Sequence, residues 1–220
     1  MVQARSILAR NTTKLVGAAV LAPLSVLLQG LPPMFLTPWF MRIDFAAVPW
    51  VVCWIVFGWR SALLCLLISA PLVGFLGPFA GGIVGAVMKS VASVWMFIVP
   101  ALFADKLRGF QNLFRRRVWL LVACASAIMA RVLCTLFFNL YFALPVFFKM
   151  DYATIIAFFS NPLFQSFVSI NLGMVGLAAY ILEISFWNMV QGVIDLTCGF
   201  ALGVMVLKRI EKSPISSSST

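Results

Sequence analysis

The sequence contains no histidine and few charged side chains, which make up 10% of its 220 residues. Histidine is the commonest proton shuttle and metal ligand, so its absence removes the usual material for acid–base or metal chemistry. A glycine-rich phosphate loop is also missing, so any use of ATP would have to come from a partner protein. Only six aspartate and glutamate residues are present, and they form no carboxylate pair that could carry a reaction. These absences argue against an enzyme.

The five cysteines show no paired spacing, and each falls inside an apolar run. Such residues behave as small core side chains, so we expect neither disulfides nor a metal site. They are Cys53, Cys65, Cys124, Cys134 and Cys198.

Apolar residues dominate the chain, at 63% of the sequence, with a mean hydropathy of +1.08. A chain with so little polar surface is typical of an all-α polytopic membrane protein. We predict a single six-helix membrane domain over residues 1–212 and a disordered polar tail over 213–220. The six predicted spans cover residues 15–28, 46–57, 61–75, 83–104, 118–138 and, beginning near 175 or 178, up to 207. The basic start also fits a signal peptide, but Pro23 interrupts the first apolar run and no cleavage site follows, which favours a retained helix.

Basic residues are distributed unevenly between the two sides of these spans. Twelve of the sixteen lysines and arginines fall on one side, and only Arg42 and Lys149 fall on the other. By the positive-inside rule, both termini are predicted to be cytoplasmic in the plasma membrane. The net charge of +10 therefore indicates topology, and we expect no nucleic-acid partner.

The loop over residues 31–49 is unusual for a connector between membrane helices. Three prolines in its first eight residues, Pro32, Pro33 and Pro38, prevent a continuous helix. Arg42 and Asp44 stand among large apolar side chains. One interpretation is an interfacial loop anchored by Trp39. The other is a rigid loop that covers a binding pocket.

Several polar residues fall at membrane depth, where each requires a partner or a role. Arg131 and Asp195 lie at similar depth on antiparallel spans, which predicts a structural ion pair. Lys89 has no obvious mate in the sequence. Asn188 and Gln191 lie one turn apart at the depth of Lys89, and Asn139, Tyr141 and Trp187 could complete a cavity beneath the loop. Alternatively, Asn188 and Gln191 only bond neighbouring helices.

Three short motifs occur in the order seen in one known family. They are residues 40–49 (Phe-Met-Arg-Ile-Asp-Phe-Ala-Ala-Val-Pro), residues 138–141 (Phe-Asn-Leu-Tyr) followed by Pro145, and residues 186–192 (Phe-Trp-Asn-Met-Val-Gln-Gly). With the small-residue strip of Ala18 and Ala22, the chain resembles the substrate-binding S-component of an energy-coupling-factor (ECF) vitamin transporter, most nearly the riboflavin-specific type.

The resemblance implies a six-helix protein without catalytic activity that needs no cofactor and holds a vitamin, with riboflavin as the expected ligand, near the outer face. It also implies that the first helices, through Ala18 and Ala22, dock on a transmembrane T-component driven by two cytoplasmic ATPases. The expected substrate-binding residues are Asp44, Phe45, Lys89, Asn139, Tyr141, Trp187, Asn188 and Gln191.

The chain departs from the riboflavin type at two places. Gln191 stands where that type usually has lysine, and residues 68–71 replace a Lys-Asn pair. An S-component for another small molecule, a stand-alone secondary transporter and a structural scaffold are the alternatives. A secondary transporter usually needs internal repeats and titratable relays, which this sequence lacks.

Overall fold

The computed structural model describes residues 11–37, 41–76 and 82–211, and its architecture is mostly helical. Trp39 and the expected polar tail lie outside these ranges. The helices are α1 Asn11–Gly30, α2 Val48–Phe57, α3 Trp59–Leu76, α4 Gly82–Ser93, α5 Trp95–Lys106, α6 Phe110–Arg115, α7 Arg117–Phe138, α8 Leu144–Phe148, α9 Tyr152–Phe159 and α10 Gly176–Glu211. A π-helical turn spans Asn139–Ala143, and a 3₁₀ turn spans Ile170–Leu172. The strands β1 Phe35–Leu36 and β2 Arg42–Ile43 form a short antiparallel hairpin in the loop after α1.

Four helical segments in the described part of the chain are long and apolar enough to cross a membrane, judged by length and composition. They are Asn11–Gly30, Gly82–Lys106, Arg117–Phe148 and Gly176–Ile210. Helix α2 has 10 residues, which at the α-helical rise is about half of the ~30 Å hydrocarbon core. The prediction of a helical membrane protein is therefore confirmed in its coarse form, while the count of six spans and the orientation of the termini stay predictions.

Helix α2 lies at the centre of the packing, with nine of its ten residues buried. It begins with Pro49 in its first turn, where the missing amide costs no hydrogen bond. The helix ends at Phe57, and the next residue, Gly58, has a φ of 96° that favours glycine and an amide that donates to the Trp54 carbonyl at 2.8 Å. After this residue the chain packs back as α3 against α2.

Small residues allow α10 to approach α2 closely. A Cβ placed on Gly199 would lie 2.5 Å from Val51 Cγ1, and one on Gly203 would lie 2.7 Å from Ile55 Cδ1. The two glycines stand four residues apart on one face of α10, the arrangement that lets membrane helices pack backbone to side chain.

We expect Gly199→Ala to destabilise the protein, although alanine is normally the better helix former. The added methyl group must displace Val51, and overpacking of this kind costs roughly 1–3 kcal/mol in the free energy of unfolding. Thermal unfolding in detergent measures the effect. Gly30→Ala is the matched control, because no atom lies within 4 Å of its added Cβ. Equal stability of both variants would contradict the close packing of α2 on α10.

The segment after residue 138 differs from the sequence-based expectation. The predicted fifth span ends there, but the helical path continues without a break through the π turn and α8 to Phe148. Pro145 follows the π turn directly, and it does not interrupt the helix because the bonding there, in which the Leu144 amide donates to the Asn139 carbonyl, departs from the regular i→i−4 pattern. The π turn inserts an extra residue into the helical repeat, which changes the direction of the side chains that follow it.

Candidate binding site

A cavity of about 470 Å³ lies at the end of the helices nearest the hairpin loop. Its size suits a small organic molecule, and its walls are mainly apolar with a few polar groups. The lining residues come from α1, the hairpin loop, α3, α4, α7, the π turn, α8 and α10. They are Gln29, Met41, Arg42, Val73, Gly85, Met88, Lys89, Ala92, Arg131, Thr135, Asn139, Ala143, Leu144, Phe147, Phe148, Ile184, Asn188 and Gln191.

The hairpin folds over this cavity and contributes Met41 and Arg42 to its lining. The hairpin is held by backbone bonds from the Met34 amide to the Ile43 carbonyl at 2.8 Å and from the Thr37 amide to the Met41 carbonyl at 2.9 Å. The Thr37 hydroxyl also accepts a bond from the Met41 amide at 3.0 Å. The loop therefore has the position of a cover.

Lys89, on α4, is paired with Asp44 of the loop, although the sequence offered it no obvious mate. Its ammonium lies 2.5 Å from an Asp44 carboxylate oxygen. The same carboxylate accepts a bond from the Ala46 amide at 2.9 Å. Asp44 does not itself line the cavity, but its carboxylate holds the ammonium of Lys89, which does.

Gln191 fastens the loop to α10 through its side-chain amide. Its Nε2 donates to the Asp44 carbonyl at 2.7 Å, and its Oε1 accepts from the Asp44 amide at 3.0 Å. Nε2 also donates to Asp195 Oδ1 at 2.8 Å. Both hydrogen-bonding groups of the Asp44 backbone are therefore satisfied by one side chain from another helix.

Arg131 extends this network across to α7. Its Nη1 lies 2.9 Å from Asp195 Oδ2, with both side chains almost fully buried. The same Nη1 donates to Ser93 Oγ at 3.2 Å, and Nε donates to Asn188 Oδ1 at 3.2 Å. Asn188 in turn donates to the Ile184 carbonyl at 2.9 Å. Asn188 and Gln191 thus bond neighbouring elements and line the cavity at the same time.

Arg42 and Gln29 are cavity residues that sequence reasoning did not assign to the site. Arg42 Nη2 donates to the carbonyls of Gln29 and Leu31, at 3.0 and 2.8 Å. Arg42 Nε, Arg42 Nη1 and Gln29 Oε1 are buried and have no hydrogen-bond partner among the described residues. The sequence feature that could have assigned Arg42 to the site was its charge within an apolar loop.

Four of the eight expected substrate-binding residues line the cavity: Lys89, Asn139, Asn188 and Gln191. The Asn139 amide donates to the Thr135 carbonyl at 2.9 Å. Phe45, Tyr141 and Trp187 do not line the cavity. Depth assigned Tyr141 and Trp187 to the site and the family resemblance added Phe45, but neither depth nor resemblance fixes which way a side chain faces.

These three aromatic residues have other neighbours. Phe45 packs beside the Val48, Val52 and Val56 cluster. Tyr141 is 52% exposed and stacks on Tyr152, with ring centroids 4.4 Å apart. Trp187 stacks on Phe35 at 4.7 Å and donates to Glu183 Oε1 at 2.7 Å. It therefore supports the hairpin through Phe35 of β1.

Ala18 and Ala22, the expected partner interface, are fully buried inside the chain itself, where they belong to the main hydrophobic core. Small side chains here let α1 approach α2 and α3, as Gly17 does against Phe57. This corrects the expectation that the pair faces a partner. The exposed face of α1 carries Leu15, Val16, Val20, Leu24 and Leu27.

Within the described ranges, no group of three or more histidine, cysteine, aspartate or glutamate side chains is placed to hold a metal ion. The five cysteines are all free thiols. The polar groups that line the cavity can donate hydrogen bonds to a bound molecule and accept hydrogen bonds from it.

No known protein-family profile matches the sequence, and no curated protein is similar to it. A solved structure described as the S component of a bacterial ECF transporter is similar to the fold, with a TM-score of 0.66 and 16% sequence identity. The match covers 93% of this chain and 100% of that protein. At this identity the likeness establishes the fold alone. The chain therefore has the fold of an ECF transporter S component.

Proposed function

We propose that the protein is the substrate-binding subunit of an ECF-type importer, which captures a vitamin from outside the cell. The observation that carries the proposal is the cavity of about 470 Å³ beneath a hairpin, in a fold like that of an S component. A cover that is hydrogen-bonded to a wall of its own cavity suits capture and release of a small molecule. Riboflavin is the first ligand to test, since the sequence motifs most resemble the riboflavin type.

The proposal includes partners. A transmembrane T-component and two cytoplasmic ATPases would supply the energy, because the chain has no nucleotide-binding motif. The protein would lie in the plasma membrane with both termini cytoplasmic. The exposed apolar face of α1 is available to lipid or to a partner, whereas the Ala18 and Ala22 face is not.

Purification in detergent tests ligand capture. We expect a vitamin to co-purify, and a flavin would give the preparation a yellow colour and a visible absorption spectrum. Mass spectrometry of the released material identifies any colourless ligand. The proposal would be wrong if the purified protein carried no small molecule and bound none of the vitamins offered to it.

We further expect the chain alone, in vesicles without any ATPase, to bind its vitamin but not to concentrate it. Uptake should appear only when a T-component and ATPases are added with ATP. Vesicles with an ATPase inactivated in its phosphate loop serve as the control. Full uptake by this chain alone would favour a stand-alone secondary transporter instead.

A further inference from the structure

The cavity is lined by three cationic side chains, and only two of them have a carboxylate partner. Lys89 pairs with Asp44, and Arg131 pairs with Asp195. Arg42 makes no ion pair with any described residue; its hydrogen bonds go to backbone carbonyls at the end of α1. The cavity therefore carries one positive charge that the described part of the protein does not balance.

Arg42 is also poorly placed to obtain its missing bonds from water. The residue is only 8% exposed, and its Nε and Nη1 are buried without partners among the residues described. An arginine presents five N–H donors and cannot lose its charge, so burying it with unmade bonds costs free energy. Arg42 lines the cavity, so a small rotation of its side chain would bring these N–H groups to an acceptor that arrives with a ligand, and the new bonds would recover that cost.

The other buried carboxylate in the described ranges is already committed elsewhere. Glu183 accepts bonds from the Val168 amide at 2.8 Å and from Trp187 Nε1 at 2.7 Å. It does not line the cavity. It therefore holds the loop before α10, and it leaves Arg42 free to bind an incoming anion.

We propose that the molecule captured in this cavity carries a carboxylate or phosphate group, which binds the Arg42 guanidinium beneath the hairpin. The inference rests on the proposed function and names the chemical class of its substrate. Guanidinium groups bind both anions through charge-assisted hydrogen bonds. Gln29, whose Oε1 is also without a partner, can accept a bond from a hydroxyl or N–H beside the anion. Because Arg42 belongs to β2, an anion bound there also holds the cover in place.

Matched pairs of acidic and neutral vitamins test the proposal. The pairs are riboflavin 5′-phosphate with riboflavin, biotin with biotin amide, nicotinate with nicotinamide, and pantothenate with pantothenol. Calorimetry or ligand-induced thermal stabilisation gives the affinity of each compound. In the pair that binds, we expect the acid to bind roughly 10- to 100-fold more tightly than its neutral partner. The first pair reports a phosphate, and the other three report a carboxylate.

Substitution of Arg42 then tests whether this residue causes the preference for the acid over its neutral partner. Arg42→Gln should reduce the acid-to-neutral affinity ratio to near one, while Arg42→Lys should keep part of it. Arg60→Gln is the control, because Arg60 is an exposed cation away from the cavity and should leave the ratio unchanged. Binding of the neutral partner by Arg42→Gln shows that the variant is folded. If Arg42→Gln does not fold, the acid-to-neutral affinity ratios of the wild type and of Arg42→Lys still test the proposal.

Two outcomes would overturn the inference alone: a neutral compound that binds as tightly as its acid, or a ratio that Arg42→Gln leaves unchanged. Failure of all eight compounds to bind, together with the absence of any co-purified small molecule, would overturn the proposed vitamin capture and this inference with it. Tight binding of neutral riboflavin would sustain the proposed function while excluding the anionic substrate.

Discussion

Replacing Asp195 with asparagine should lower the free energy of unfolding by about 3–5 kcal/mol. The substitution leaves the Arg131 guanidinium, 3% exposed, without its anionic partner. The cost is large because a buried charge that loses its partner recovers neither its hydration nor its Coulomb energy. Asp195 also accepts a bond from Gln191, so the loss reaches the loop as well. Thermal or denaturant unfolding in detergent measures the change.

A double-mutant cycle separates the ion pair from other effects of the substitution. Arg131→Gln combined with Asp195→Asn should restore part of the stability, since neither charge then remains buried alone. Asp105→Asn is the control, because Asp105 is exposed and forms no ion pair with a described residue. Strictly additive effects of Arg131→Gln and Asp195→Asn would show that the two side chains do not interact.

Gln191→Ala should weaken binding of the captured vitamin by about a hundredfold. The glutamine lines the cavity and also holds both backbone groups of Asp44, so its loss removes part of the site and loosens the cover. Hydrogen–deuterium exchange provides a second readout that needs no ligand. Backbone amides of the loop around Asp44 should exchange faster in the variant.

Thr197→Ala is the matched control on the same helix. The Thr197 hydroxyl is exposed and bonds only to carbonyls of its own helix, so neither affinity nor loop exchange should change. Gln191→Lys restores the residue usual in the riboflavin type, but it adds a second ammonium near Lys89. If riboflavin is the ligand, this variant should bind it more weakly. If the loop amides of Gln191→Ala exchanged at the wild-type rate, Gln191 would not be the residue that holds the loop on α10.

Much of the helical framework could be predicted from composition and hydrophobic runs. The helices α1, α3 and α7 and the long α10 lie where the apolar runs stand in the sequence. The continuation through the π turn to Phe148 could not be predicted, because Asn139 and Pro145 are typical of a helix end. Pro145 is tolerated within the continuous helix only because the π turn just before it departs from the regular i→i−4 bonding.

The sequence alone determined that Arg131, Asp195, Lys89 and Gln191 need polar partners, since the cost of burying a charge in a membrane does not depend on the details of the fold. The tertiary structure decided which partners they have. Asp44 reaches Lys89 and Gln191 across 45 and 147 residues of chain, and no sequence period specifies such contacts. It also decided that Ala18 and Ala22 face inward, because a strip of small residues fits a helix of the same chain as well as one from a partner.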